Sequence, residues 1–426
     1  MIDINLIREN PEKIKTALLK RMDNIDFQPL LELDKKRRQL ITENDILKQE
    51  RNKVNEQIPV LKKQGNDIAD LMVKMKETSQ SIKEKDKILL ECEQEIKAIL
   101  EVLPNIPAED VMAGGKENNE VISITGKKPE FDFKIKDHVE LVTNLRLIDY
   151  KRGVKLGGNG HWLYSGKGSL LEWGLLNYFV NEHIKDGYNL IMPPHLLLFE
   201  CGYTAGQFPK FRDDVFHLKS DENNAKQKFI LPTAETALVN LHRDEILSED
   251  DLPVKLFSYT PCYRKEAGSY RAGERGMIRG HQFNKVEMFQ YTLPESSEDA
   301  LKELLEKAER LVKDLGLHYR VSKLAAGDCS ASMGKTYDIE VWIPSMNEYK
   351  EISSISNGYD YQARRGNIRI KRKSGKKDFV HTLNASGLAT SRLLRAIVEQ
   401  FQNKDGSVNV PSVLQECVDT SVLRPM

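Results

Sequence analysis

The amino-acid sequence predicts an α+β fold, an antiparallel sheet with helices packed on it, preceded by an N-terminal antiparallel helical hairpin of coiled-coil type. Three observations carry this. Leu33, Leu40, Leu47, Val54 and Leu61 recur every seven residues, and beyond Gly65-Asn66-Asp67 so do Met75, Ile82, Leu89, Ile96 and Leu103. From Phe131 onward aromatics and glycines rise, and helical patterns alternate with short β-rich runs. Several of those runs are joined by short turns, which favours antiparallel pairing.

The bulk numbers narrow the class. The 426 residues suit two or three domains at roughly 100–200 residues each. Lys plus Arg and Asp plus Glu number 64 each, so the net charge is zero. That disfavours a uniformly basic nucleic-acid coat, and RNA contact must rest on local patches or on shape. The five cysteines (Cys92, Cys201, Cys262, Cys329 and Cys417) form no CxxC pair, so neither a disulfide framework nor a zinc ribbon is expected. The nine histidines lack HExxH or HxH spacing, so no His-held metal is expected either. The first residues lack the apolar core of a signal peptide, and no apolar run approaches a membrane span. A soluble, cytoplasmic protein is the expectation.

Along the chain, heptads interrupted by a Gly-Asn turn read as two antiparallel helices. Arg37, Asn44 and Arg51 take the second seam position of the first helix, so the seam is thin and an arm is expected. Taken alone, the segment reads more readily as a dimerising coiled coil or a spacer. Leu103-Pro104-Asn105-Ile106-Pro107 stops the second helix and closes a domain over 1–107. Residues 108–129 are polar and irregular, as in a linker. In the domain 130–426, helices are expected over Ser169–Lys185, Ala300–Gly316 and Thr390–Asn403. Strands are expected at Phe229–Leu231, Val254–Thr260, Phe289–Thr292, Asp338–Ile343 and Asn367–Ile370. The basic stretch Lys371–Lys377 is expected as a solvated loop that could meet phosphate.

Nucleotide chemistry has to use something other than a common phosphate loop. Gly334-Lys335-Thr336 ends like one, but the glycine needed five positions earlier is Cys329. A Rossmann fingerprint is also absent. Instead, a β-rich run leads from Tyr259 into Arg264, a glycine-rich charged loop follows (Gly268 to Gly276), and a second run leads from His281 to Glu287. That order lets Arg264, Arg279, Phe283 and Glu287 converge on one sheet face. Arginine forks suit phosphate or carboxylate, and Phe283 offers a flat face to a base. A surface hairpin with ion pairs would look the same. In Glu351-Ile352-Ser353-Ser354, alternation puts Glu351 and Ser353 on one face and Ser354 at a strand end. A carboxylate with a hydroxyl suits Mg²⁺, although a polar strand edge fits equally. Through Leu383–Arg392, small residues allow close backbone approach. Arg392 falls in a helical first turn with Ala396 four residues on, so it suits an anionic ligand or is simply exposed.

In this order the stretches resemble motifs 2 and 3 of class II aminoacyl-tRNA synthetases. Gly187-Tyr188-Asn189 through Pro193-Pro194 resembles motif 1, whose proline lies at the dimer interface in that class. Longer stretches resemble the seryl-tRNA synthetase family. They are Gly206–Phe211, Thr233-Ala234-Glu235, Ile278–Phe283, Lys285-Val286-Glu287, Glu351–Asn357, Gln362–Arg365 and Leu383–Arg392, with Ile7–Pro11 and Leu103-Pro104-Asn105 at the ends of the N-terminal domain. The resemblance covers essentially the whole chain. It implies a class II catalytic domain that activates L-serine with ATP and transfers it to tRNA(Ser), with tRNA(Sec) a further candidate. It implies that Thr233 and Glu235 hold the serine ammonium, and that Glu287, Ser386 and Asn384 surround its side chain. Arg264 would grip the substrate carboxylate and α-phosphate, Glu266 read the adenine amino group, and Phe283 stack on the ring. Arg279 and Arg392 would clamp the outer phosphates, and Glu351 and Ser354 ligate Mg²⁺, with no zinc. Arg264, Arg392 and Glu351 are then the catalytic set. The hairpin would reach the long variable arm of tRNA, in a homodimer with no membrane contact.

Three stretches depart from the family pattern: Gly157–Trp162, the loop with Tyr270 and Ala272–Gly276, and Ile355 where a cysteine is common. They leave open a divergent second copy, for instance one insensitive to an inhibitor. A ligase that loads a carrier protein is a further alternative, although such relatives lack the arm.

Overall fold

A computed structural model of the chain describes residues 1–219, 227–266 and 276–425. The chain separates into two compact units, Ile2–Thr16 with Asp23–Leu103, and Met1 and Ala17–Met22 with Pro104–Met426.

The first unit is built on helices α1 (Gln28–Lys63) and α2 (Ala69–Val102), which pack as a hairpin. Their shielded positions follow the heptads. In α1 these include Leu33, Leu40, Leu47, Val54 and Leu61, interleaved with Arg37, Asn44 and Arg51. Polar pairs interrupt the apolar seam. Asp34 is fully buried and meets Arg8 at 3.0 Å, Arg37 at 2.7 Å and Arg38 at 3.0 Å. Asn44 Nδ2 donates to Asp86 Oδ1 at 2.9 Å across the hairpin. A buried polar group without a partner would cost about 1–3 kcal/mol, so the Asn44–Asp86 bond, which spans the two helices, helps to fix their register.

The second unit holds an eight-stranded sheet. Its strands are β1 (Glu120–Thr125), β2 (Asn189–Leu190), β3 (Val254–Tyr263), β4 (Gln282–Thr292), β5 (Tyr319–Lys323), β6 (Lys335–Ile343), β7 (Glu348–Tyr359) and β8 (His381–Ala389). The order is β1-β5-β6-β7-β8-β4-β3-β2, antiparallel throughout except for the parallel β2–β3 pair at one edge. Helices α3 (Lys167–Lys185), α4 (Ser297–Asp314) and α5 (Thr390–Gln400) cover it. In α4, Ala300, Leu301, Leu304, Ala308, Leu311 and Val312 line one face and join the main apolar core. The expected antiparallel α+β architecture is the one observed.

The linker expectation hid a strand. The stretch 108–129, expected to be irregular, contains β1, which pairs with β5 at the far sheet edge. Its Val-Ile-Ser-Ile-Thr run is β-branched, but Val121, Ile122 and Ile124 remain exposed, and polar flanks hid the strand. Asn367–Ile370 also differs in detail. The strand there is Arg369–Lys371, in a separate three-stranded sheet.

Candidate active site

Strand ends and the start of α5 converge on one cleft. It is lined by Arg264, Glu266, Arg279, Phe283, Lys285, Glu351, Ser386 and Arg392, among others. β3 delivers Arg264 just past its last residue, Tyr263, and β4 alternates so that Phe283, Lys285 and Glu287 share a face. The Arg264 guanidinium lies 5.2 Å over the Phe283 ring, and its Nε donates to Pro232 O at 3.3 Å. Arg279 Nη1 pairs with Glu266 Oε2 at 2.8 Å. Glu266 itself turns the chain with a φ of 51°, a left-handed conformation that few non-glycine residues adopt. The expected loop from Gly268, including Tyr270 and Ala272–Arg275, lies outside the described residues.

The second wall comes from β7 and α5. Ile339 opposes Ser353 while Glu340 opposes Glu351, so one extra residue bulges out beside Ile352. A bulge breaks the period of two and re-aims side chains, and this corrects the simple alternation expected here. Ser353 does not join Glu351. It is buried and donates to Ser386 O at 2.6 Å. Ser354 lies within β7, not at its end. Its Oγ is 3.3 Å from Glu351 Oε1 and 2.6 Å from Asp338 Oδ1. Arg392 Nη1 donates to Glu351 O at 2.9 Å and sits 3.4 Å from Oε2. Of the residues in α5, Arg392 alone is not buried.

Charge is graded along this wall. Burial pushes the Glu351 carboxyl upward, but Arg392 and Arg264 outweigh it and hold its pKa below the usual value. Burial and the neighbouring Glu351 push Asp338 well above the carboxylate range. The donors here are all oxygens, which suits Mg²⁺. Among the described residues no cluster of three or more His, Cys, Asp or Glu side chains is arranged around a metal position. Glu351 and Ser354 therefore fit an ion that takes its remaining oxygens from a nucleotide and water, not one caged by protein.

Lys285 and Ser386 of this cleft also belong to a cluster of mostly buried polar side chains on β4 and β8. Ser386 stands directly opposite Glu287 in the β8–β4 ladder, and Asn384 Nδ2 donates to Glu287 Oε1 at 3.1 Å. Just beyond, the register shifts between Ser386 and Ala389, and the buried Leu388 takes a φ of 90°. Strain of this kind persists only where the surroundings over-determine it. A methyl group on Gly387 would lie 2.3 Å from His183 Nε2, so the backbone beside Ser386 is clamped against α3. Glu235 Oε1 accepts from Gln362 Nε2 at 2.8 Å. Burial first, and then the charge of Glu287, push the Glu235 pKa up to about 7. Thr233 Oγ1 accepts from Lys285 Nζ at 2.8 Å. Residue-pattern reasoning assigned no role to Lys285 or Gln362, although both fell inside matching stretches. The readable signal for Lys285 was its place between Phe283 and Glu287 on one strand face.

Comparison with known proteins agrees with this geometry. Residues 216–401 match the model of the tRNA synthetase class II core domain (G, H, P, S and T), and residues 1–107 match the Seryl-tRNA synthetase N-terminal domain. Serine–tRNA ligase 2 of Clostridium acetobutylicum is 63% identical over 98% of this chain and 99% of its own length. The chain belongs to the seryl-tRNA synthetase family. Serine–tRNA ligase of Caldicellulosiruptor bescii is 47% identical over all of both chains. The crystal structure of seryl-tRNA synthetase from Pyrococcus horikoshii complexed with ATP superposes with a TM-score of 0.93, at 32% identity, over all of both chains. Members of this family thus share both units of the present fold, the hairpin included.

Proposed function

We propose that this chain activates L-serine with ATP to seryl-adenylate and transfers serine to the 3′ end of tRNA(Ser). The carrying observation is the polarity of one continuous site. Glu235 and Glu287 form an acidic, shielded end, while Arg264, Arg279 and Arg392 line a cationic cleft for a nucleotide. Serine enters with its ammonium toward Thr233 and Glu235 and its hydroxyl toward Glu287, held by Asn384 beside Ser386. Its carboxylate then meets Arg264 and attacks the α-phosphorus in line. A carboxylate is already a nucleophile, so no general base is needed, and the rate comes from positioning and charge stabilisation. Arg279 leaves Glu266 to take a phosphate, which frees Glu266 for the adenine amino group. Arg264 moves aside as the base stacks on Phe283. Glu351 and Ser354 would hold Mg²⁺, which supplies positive charge to the leaving pyrophosphate.

The hairpin is the tRNA-binding element. Lys35, Lys36, Lys53, Lys62 and Lys63 of α1 all face solvent, as phosphate contact requires. The complete N-terminal domain favours tRNA over a carrier protein as the acceptor. The chain works as a homodimer. Strand β2 is the last strand on its side of the sheet among the described residues, Leu190 within it is 38% exposed, and Met192, two residues on, is 84% exposed. Such an edge and patch suit a second copy. Its five cysteines are all free thiols, consistent with the reducing cytoplasm, and no helix among the described residues is long and apolar enough to cross a membrane. Aminoacylation of tRNA(Ser) with labelled serine tests the reading. Charging of tRNA and not of carrier protein is expected, and adenylate formation without tRNA charging would overturn it.

A further inference from the structure

Lys285 has no part in the mechanism above, yet its ammonium sits inside the amino-acid pocket. The side chain is nearly buried. Its Nζ donates to Thr233 Oγ1 at 2.8 Å and forms an ion pair with Glu287 Oε2. The other oxygen of that carboxylate accepts from Asn384 at 3.1 Å. Glu235, the neighbouring carboxylate, feels both Glu287 and Lys285. Two carboxylates and one ammonium therefore share a place largely hidden from water.

The consequence is chemical. Two shielded carboxylates without a counter-charge cannot both stay ionised, and one takes up a proton. A protonated Glu287 is donor and acceptor at once, whereas an ionised one can only accept. Only an obligate acceptor demands a donor from the incoming side chain. Serine supplies it and alanine leaves it unmatched, which is the strongest form of rejection a pocket can build.

We propose that Lys285 is a specificity-determining positioning residue, whose ammonium ties the Glu287 carboxylate to Thr233 and holds it in place to accept from a hydroxyl-bearing amino acid. This rests on the amino-acid pocket assigned above. Lys285 acts through Glu287 and not on the reacting atoms, so its loss weakens serine selection and leaves ATP binding alone.

Exchange of pyrophosphate into ATP tests this with serine and alanine on wild type, K285M, E287Q and the double variant. Wild type should prefer serine by about ten-thousandfold or more. In K285M the serine KM should rise at least about tenfold and the serine-to-alanine ratio fall at least about tenfold, with the ATP KM within about twofold. The double variant should lose far less than the product of the single losses, because a neutral amide no longer needs the ammonium. K285Q carries the same expectation should K285M fail to fold. An absence of serine-dependent exchange in wild type would overturn the pocket and this inference with it. Normal wild-type exchange with an unmoved ratio in both Lys285 variants, or strictly multiplicative losses in the double variant, would overturn the role of Lys285 alone.

Discussion

Lowering the pH from 8 to 6 should weaken capture of serine about tenfold, and Glu235 is the reason. Its carboxyl titrates at about 7 because burial and the charge of Glu287 disfavour the ionised form. Only the ionised form pairs with the serine ammonium. A group titrating there is about nine-tenths ionised at pH 8 and about one-tenth at pH 6, which gives the tenfold. The limb belongs to kcat/KM for serine, which reports free-enzyme groups. It should move to lower pH in kcat, since the bound ammonium favours the carboxylate. The sign for stability is the opposite of the usual carboxylate case. A folded value raised above the unfolded one means that stability is lost as pH rises through that window, by about 3 kcal/mol when complete. Serine should therefore raise the melting temperature more at pH 8 than at pH 6. The assay is pyrophosphate exchange at subsaturating serine and saturating ATP across pH 5.5–8.5. ATP phosphate titrates nearby, at about 6, so E235Q is the control. It should lose about 10- to 100-fold in kcat/KM at pH 8 and show no limb near 7. A flat wild-type profile, or the same limb in E235Q, would refute the assignment of Glu235.

Three further outcomes are expected. Arg392→Ala should lower kcat/KM for ATP by about 10- to 100-fold, the worth of one or two charge-assisted hydrogen bonds, while circular dichroism shows an intact fold. Joining the chain across most of α1 and α2 should leave serine-dependent exchange within about threefold but abolish tRNA charging, since the adenylation site lies wholly in the other unit; equal charging by both forms would contradict the role of the hairpin. Met192→Asp should turn dimer into monomer in light scattering, because a charge buried unpaired at an interface costs several kcal/mol.

The two helices of the hairpin were legible because two heptad runs flank a Gly-Asn turn, although the period alone fits a dimerising coiled coil as well. The burial of Asp34 was not legible, since a buried acid in a polar helix looks like a surface one until the side chains packed around it are known. Arg264, Glu351 and Arg392 are far apart in sequence and meet around one cleft, and their order within a family pattern carried that expectation. The strand-loop-strand order placed Phe283 and Glu287 on one face, as regular β4 does, whereas alternation was the argument for Glu351 and Ser353. Alternation failed there because a bulge inserts one residue beside Ile352, and no residue type there announces a bulge. Lys285 escaped for a related reason. A strand lysine is ordinarily solvated, and only the facing Thr233 and Glu287 reveal that this one points inward.

The central claim is that the acidic end of the site selects serine, and the amino-acid profile of ATP–pyrophosphate exchange tests it most directly. With the twenty amino acids offered singly to the full chain, serine should drive exchange, threonine and cysteine weakly, and alanine and glycine hardly at all. Exchange driven best by any amino acid without a hydroxyl, in protein shown to be folded, would contradict the account.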